Sequence, residues 1–129
     1  MIVIKTSGKT IENVVRHAKH ALSCQPRLRR GDIILISQTK DSLPPYTKPI
    51  QYVMEFERCY YDREEESRQI WGEFWPYILE CRNCRQLNKP FEISDVQVTE
   101  KDYGRGGPIV YVEEADIRAL KEKGLLASQ

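Results

Sequence analysis

Cys81 and Cys84 stand in C-x-x-C spacing, and Cys24, Cys59, His17 and His20 are the other residues able to complete a metal site with them. A structural zinc site pairs two tight ligand knuckles on turns. This chain has one such pair, near the end of an expected strand, where side chains three apart point to opposite faces. That geometry suits neither chelation nor an unstrained disulfide. His17 and His20 lie three apart in a segment of helical period, where a surface needs no metal to carry histidine. The expectation is no metal and no cofactor, with Cys81 or Cys84 packed as a small apolar residue. Hydrolytic chemistry finds no support either, because G-x-S-x-G, H-E-x-x-H and the phosphate-loop pattern are all missing. The carboxylates Glu64 to Glu66 read as a solvated run, and YGRGG at 103–107 lacks the strand-to-helix setting of a dinucleotide site. No catalytic residue is assigned, and the chain is expected not to be an enzyme.

The aromatic residues say more. Tyr46, Tyr60, Tyr61, Trp71, Phe74, Trp75 and Tyr77 crowd the middle of the chain, and both tryptophans fall within WGEFW. A single tryptophan in such a place most often plugs a core. A cluster of flat rings beside a few donors and acceptors, here Ser37, Gln38 and Thr39, also suits an unstacked base. Basic residues supply the second ingredient. The first thirty residues hold Lys5, Lys9, Arg16, Lys19, Arg27, Arg29 and Arg30 against only Glu12. Acid collects at Glu55, Glu57, Asp62 and 64–66, and again at Glu113, Glu114, Asp116 and Glu122. A net charge of +1 therefore leaves room for a basic face. Lys5, Lys9, Arg27, Arg29, Arg30, Lys40 and Arg105 are the phosphate-binding candidates.

The elements that must hold these residues alternate along the chain. Ile2 to Ile4 and Ile33 to Ile36 are apolar throughout, as strands covered on both faces are. Between them Thr10 stands where an N-cap belongs, and Ile11, Val14, Val15, Ala18 and Leu22 follow one helix face. The reading is a helix over 11–22, then Pro26 and a basic loop. After the loop SQTKDSLPPYTKP comes a third strand over 50–58, with Tyr52, Met54 and Phe56 alternating with Gln51, Val53, Glu55 and Glu57. Residues 60–67 read as an acidic excursion and 77–84 as a fourth strand entered through Pro76. Beyond Gln86 come short extended pieces, a Gly-rich loop over 102–108, a last strand over 109–112 and a helix over 113–123 closed by Gly124.

With 129 residues, 40% hydrophobic and 30% charged, the composition is that of a globular domain. One domain over 1–129 is expected, of α+β class, with a curled mixed sheet or open barrel flanked by helices. No apolar run approaches membrane-spanning length and the N-terminus lacks a signal-peptide core, so a cytoplasmic protein with no membrane partner is expected.

The order of segments resembles that of YTH and EVE domains, both members of the PUA-like superfamily. IVIKTSGKTIENV is similar to the first strand, Lys-Ser stretch and helix entry of YTH domains. RLRRGDIILISQT resembles the Gly-Asp-strand signature of EVE domains, and KPIQYVMEFERCYYD the strand that follows in both. WPYILECRNCRQLNKPFEISDV and the terminal helix ending in GLL complete the likeness. YTH domains place a cage tryptophan just after the first helix, where this chain has Leu22-Ser23-Cys24, so EVE is the nearer match.

The resemblance implies a PUA-like module that binds nucleic acid and flips a methylated base into an aromatic pocket. Such domains also form the DNA-reading part of McrBC-type modification-dependent restriction enzymes, with motor or nuclease domains attached or associated. Methylated DNA is the implied partner ahead of RNA, and a PUA-like protein of tRNA or rRNA metabolism is the alternative. Carried over by position, Lys5, Thr6 and Ser7 lie beside the base, Ser37 and Gln38 at its polar edge, and Trp71 or Trp75 forms the wall. Tyr46 and Tyr61 join the expected pocket as neighbouring aromatics.

Overall fold

The structure, a computed structural model, describes residues 1–39, 49–104 and 107–126. Among the described residues six strands form one sheet: β1 (Ile2–Thr6), β2 (Lys19–Leu22), β3 (Ile33–Gln38), β4 (Ile50–Tyr61), β5 (Tyr77–Phe91) and β6 (Ile109–Tyr111). The described helices are α1 (Ile11–His17), α2 (Glu66–Trp71) and α3 (Glu114–Glu122), with a 3₁₀ turn at Ile93–Val96. The strand order is β2-β5-β4-β3-β1-β6. Only the β1–β3 pair is parallel, so the sheet is mixed and the class is α+β.

Both faces are covered, as the fully apolar strands require. Ile2, Ile4, Ile34, Ile36, Met54, Phe56 and Leu79 point to one core, beneath Val14 of α1 and Leu22 of β2. Val3, Leu35 and Val53 point to the other, beneath Leu120 of α3 with Ile93 and Val96 of the 3₁₀ turn. Adjacent residues alternate between the two because successive side chains of a strand leave opposite faces. On the outer part of β4 and β5, Arg58 pairs with Glu80, and Arg82 with Glu55 and Glu57.

The sheet is strongly curled. β2 and β1 stand four places apart, which in a flat sheet is about 19 Å. Yet Thr6 Oγ1 of β1 and His20 Nε2 of β2 are 3.0 Å apart. The sheet bends round until its first strand faces its fifth, and it stops short of closing between the edge strands β2 and β6.

Three local expectations need correction. The helix expected over 11–22 ends at His17, because Ala18 takes a left-handed conformation (φ 51°). Residues 19–22 then become β2, which pairs with residues 77–80 of β5. The apolar period was compatible with a longer helix, but the exposed side of β5 offers four residues a ladder that a helix could not supply. The third strand runs on to Tyr61 and the fourth to Phe91, and α2 begins at Glu66, within the last two residues of the region read as an acidic excursion. Cys81 and Cys84 do not face opposite ways, since both pack on the first core. The three residues Val53 to Glu55 oppose the four from Arg82 to Arg85, a β-bulge in which Asn83 has φ 52°. The extra residue resets the alternation. Burial pushes the Cys81 thiol up to about 12, so it remains protonated.

Candidate functional site

A cavity of about 550 Å³ opens where the sheet fails to close. β1 supplies Lys5 and Thr6, β2 supplies His20 to Leu22, and β6 supplies Ile109 and Tyr111. Another wall is the end of α2 and its following turn, with Trp71, Glu73 and Trp75, and Ser7 and Thr10 also border the space. The volume lies within the roughly 300–1,000 Å³ of small-ligand pockets.

The tryptophan wall is held by a buried carboxylate. Asp62 accepts from the backbone N–H groups of Glu66 and Ser67, both at 2.9 Å, and from the Ser67 hydroxyl at 2.6 Å. Ser67 Oγ in turn accepts from the Trp75 backbone N–H at 2.9 Å. Burial works to raise the Asp62 carboxyl, but these hydrogen bonds outweigh it and hold the group below its usual range. Asp62 therefore caps α2 and, through Ser67, fixes the backbone from which Trp75 projects. The Trp75 indole N–H donates to Glu73 Oε1 at 3.1 Å, which sets the ring itself. Trp71 has a second duty, since it leans on the first core, whereas Trp75 belongs to neither core cluster.

His20 forms the opposite side. Its Nδ1 is 2.8 Å from the Ala21 carbonyl oxygen, which only accepts, so Nδ1 carries the hydrogen. Burial pushes the imidazole below its ordinary value, with the Ala21 contact acting weakly the other way, and the ring is neutral at pH 7. Nε2 is then an acceptor, and the Thr6 hydroxyl donates to it. Both ring nitrogens are engaged inside the protein, so His20 offers the cavity a flat surface and no proton transfer. Lys5 brings positive charge, and burial lowers its ammonium despite the opposing pull of Asp102. At the rim the Arg27 guanidinium lies 4.7 Å from the centre of the Tyr111 ring, and the Arg27 backbone N–H donates to Tyr111 Oη at 2.8 Å.

Of the residues expected in a base pocket, Thr6, Ser7, Trp71 and Trp75 line this cavity together, joined by Lys5. Three lie elsewhere. Ser37 is fully buried and pairs with Lys5 across the sheet, one strand behind the cavity. Gln38 borders a small recess with Ile11, Pro49 and Tyr52. Tyr61 packs edge-on against Phe74 and Tyr77 instead, with ring centres 6.4 and 6.1 Å away. Tyr46, Lys40 and Arg105 fall outside the described residues.

Of the phosphate candidates, Lys9, Arg27 and Arg29 are exposed. Arg30 is paired with Glu57 at 2.8 Å. Sequence reasoning passed over His20, Glu73 and Tyr111. His20 was placed on a helix, Tyr111 was one residue of a strand, and Glu73 became legible only with the Trp75 indole beside it. Among the described residues no three His, Cys, Asp or Glu side chains are grouped to hold a metal ion, and no helix is long and apolar enough to cross a membrane.

No family model matches the chain, and no curated protein matches it in sequence. Solved structures do match. The crystal structure of ASCH from Zymomonas mobilis superposes with a TM-score of 0.65 at 12% identity, covering 94% of this chain and 93% of that one. A point mutant of the same protein gives 0.64 at 12% identity, covering 94% and 96%. The fold is ASCH-like. The curled mixed sheet expected from the sequence is the observed architecture. At 12% identity the likeness speaks to fold, and the cavity's role is argued from its own residues.

Proposed function

We propose that this chain is a nucleic-acid-binding module that takes one unstacked, methylated base into the cavity between β2 and β6, and that it does so without catalysis. The observation that supports this best is the cavity's make-up: Trp71, Trp75, Tyr111 and the neutral His20 ring offer flat surfaces around about 550 Å³, with Lys5 and Arg27 at hand for phosphate. Stacking contributes roughly 1–3 kcal/mol per base, enough to offset a base's extrusion cost of a few kcal/mol. One buried methyl group adds about 0.8 kcal/mol, so the preference for a modified base is a few-fold unless the unmodified base leaves a polar group unmatched. Affinity comes mainly from phosphate contacts and specificity from the cavity.

DNA is the favoured substrate, in keeping with the EVE-like segment order, and a modification-dependent restriction system is the setting we propose. The closed alternative is RNA of tRNA or rRNA metabolism. Binding to matched DNA and RNA oligonucleotides, with and without 5-methylcytosine or N6-methyladenine, tests the reading. The expected result is tighter binding of a methylated DNA strand than of its unmethylated twin. Equal binding of all twins removes the modified-base reading, and a preference confined to RNA replaces DNA with the alternative.

A further inference from the structure

Five hydrogen-bond donors that line the cavity are engaged within the protein. Thr6 gives its hydroxyl hydrogen to His20 Nε2, and His20 gives its Nδ1 hydrogen to Ala21. Thr10 Oγ1 donates to the Ser7 carbonyl at 3.3 Å, which leaves the Ser7 hydroxyl to donate to Thr10 Oγ1 at 3.0 Å. The Trp75 indole N–H is held by Glu73 Oε1. These five lining donors are committed to protein partners, and the Glu73 carboxylate that takes one of them keeps lone pairs to spare. Glu73 is the one carboxylate among the described residues of the lining. A carboxylate has acceptor sites only, and one Trp75 N–H leaves it most of its capacity. Its place at the edge of the Trp75 ring puts it beside the edge of any base stacked on that indole.

We propose that Glu73 makes the cavity selective for a base bearing an exocyclic amino group, of the cytosine or adenine type, over a 4-oxo pyrimidine. This inference rests on the base-pocket reading above. A cytosine N4 or adenine N6 hydrogen meets the carboxylate as donor to acceptor, the pairing that carboxylates make with cytosine elsewhere. The O4 of thymine or uracil would meet it lone pair to lone pair, at a site shielded on one side by the indole.

The test uses two short oligonucleotides that differ at one position, 5-methylcytosine in one and thymine in the other. Both bases carry the same methyl group on the same ring size, so they separate the amino–oxo difference from methyl burial. The wild-type protein is expected to bind the 5-methylcytosine strand about tenfold more tightly, as suits one charge-assisted hydrogen bond. Glu73→Gln, whose amide both donates and accepts, is expected to bring the two within about twofold. Glu73 is exposed, so this variant keeps its fold. Equal wild-type affinities, with Trp75→Ala weakening both strands, would overturn amino selection while leaving the pocket in place. If Trp75→Ala leaves both affinities unchanged, the base-pocket reading fails and this inference falls with it.

Discussion

The two tryptophans separate a packing role from a binding role within one wall. Trp71 rests on the first core, so Trp71→Ala should cost roughly 1–3 kcal/mol of stability, less than a fully buried tryptophan. Trp75 belongs to neither core, so Trp75→Ala should leave the melting temperature nearly unchanged while removing the preference for a modified base. Thermal melts of the two variants beside oligonucleotide titrations check this, and an equal stability loss in both would contradict it. His20 makes a second prediction. Its native value lies below the ordinary value of about 6.5, so the unfolded chain takes up a proton that the native protein refuses. Stability should therefore fall as pH drops below about 6.5 and be regained above it. Urea midpoints at pH 7.5 and 5.5 should show this slope in the wild type and a shallower one in His20→Gln. An unchanged slope in the variant would place the titration elsewhere.

At the scale of elements, the site depends on how α2 is tied to the strand before it. Asp62 takes three hydrogen bonds from the start of α2, and Ser67 passes the constraint to Trp75. Asp62→Ala should cost about 1–3 kcal/mol by leaving these donors unmatched, and should also blunt base discrimination although Asp62 touches no part of the cavity lining. Because the carboxyl is held low, its contribution is present at neutral pH and is lost as pH falls through its native value. Denaturant unfolding of Asp62→Ala at pH 7 and again near pH 3 checks the sign: the gap from wild type should narrow in acid.

These elements also show what the sequence could disclose. The runs at 2–4 and 33–36, which start β1 and β3, are apolar at every position and were legible at once. The end of α1 was not, because a left-handed alanine leaves no trace in an apolar period and the gain at β2 comes from a strand almost sixty residues away. The bulge at Asn83 was hidden for the same reason, since register belongs to the pair of strands. Lys5, Trp71 and Trp75 could be named early because their types stood out, and Thr6 and Ser7 because the opening segment is similar to that of YTH domains. His20, Glu73 and Tyr111 gain their meaning from what curls against them.

At the scale of the whole molecule, the cavity is the seam of an unclosed barrel, and its two lips are the edge strands β2 and β6. The net charge of +1 hides an uneven distribution. Arg30 is neutralised by Glu57, while Arg27 stands at the cavity rim on Tyr111. Arg27→Glu should weaken modified and unmodified strands alike and flatten the dependence of log affinity on log salt by about one unit or more. Arg30→Glu should change the slope less. Titrations at several salt concentrations decide between them, and equal slopes for both variants and the wild type would put the phosphate track on another face.

The central claim, that a base enters the cavity against Trp75, has a direct test. The chain has two tryptophans, so a proton–nitrogen correlation spectrum holds two indole signals, assignable with Trp71→Phe and Trp75→Phe. On titration with a methylated oligonucleotide the Trp75 signal should move saturably, and further than with the unmethylated strand. If the strand binds to saturation while the Trp75 indole signal stays where it was, the base is not in this cavity.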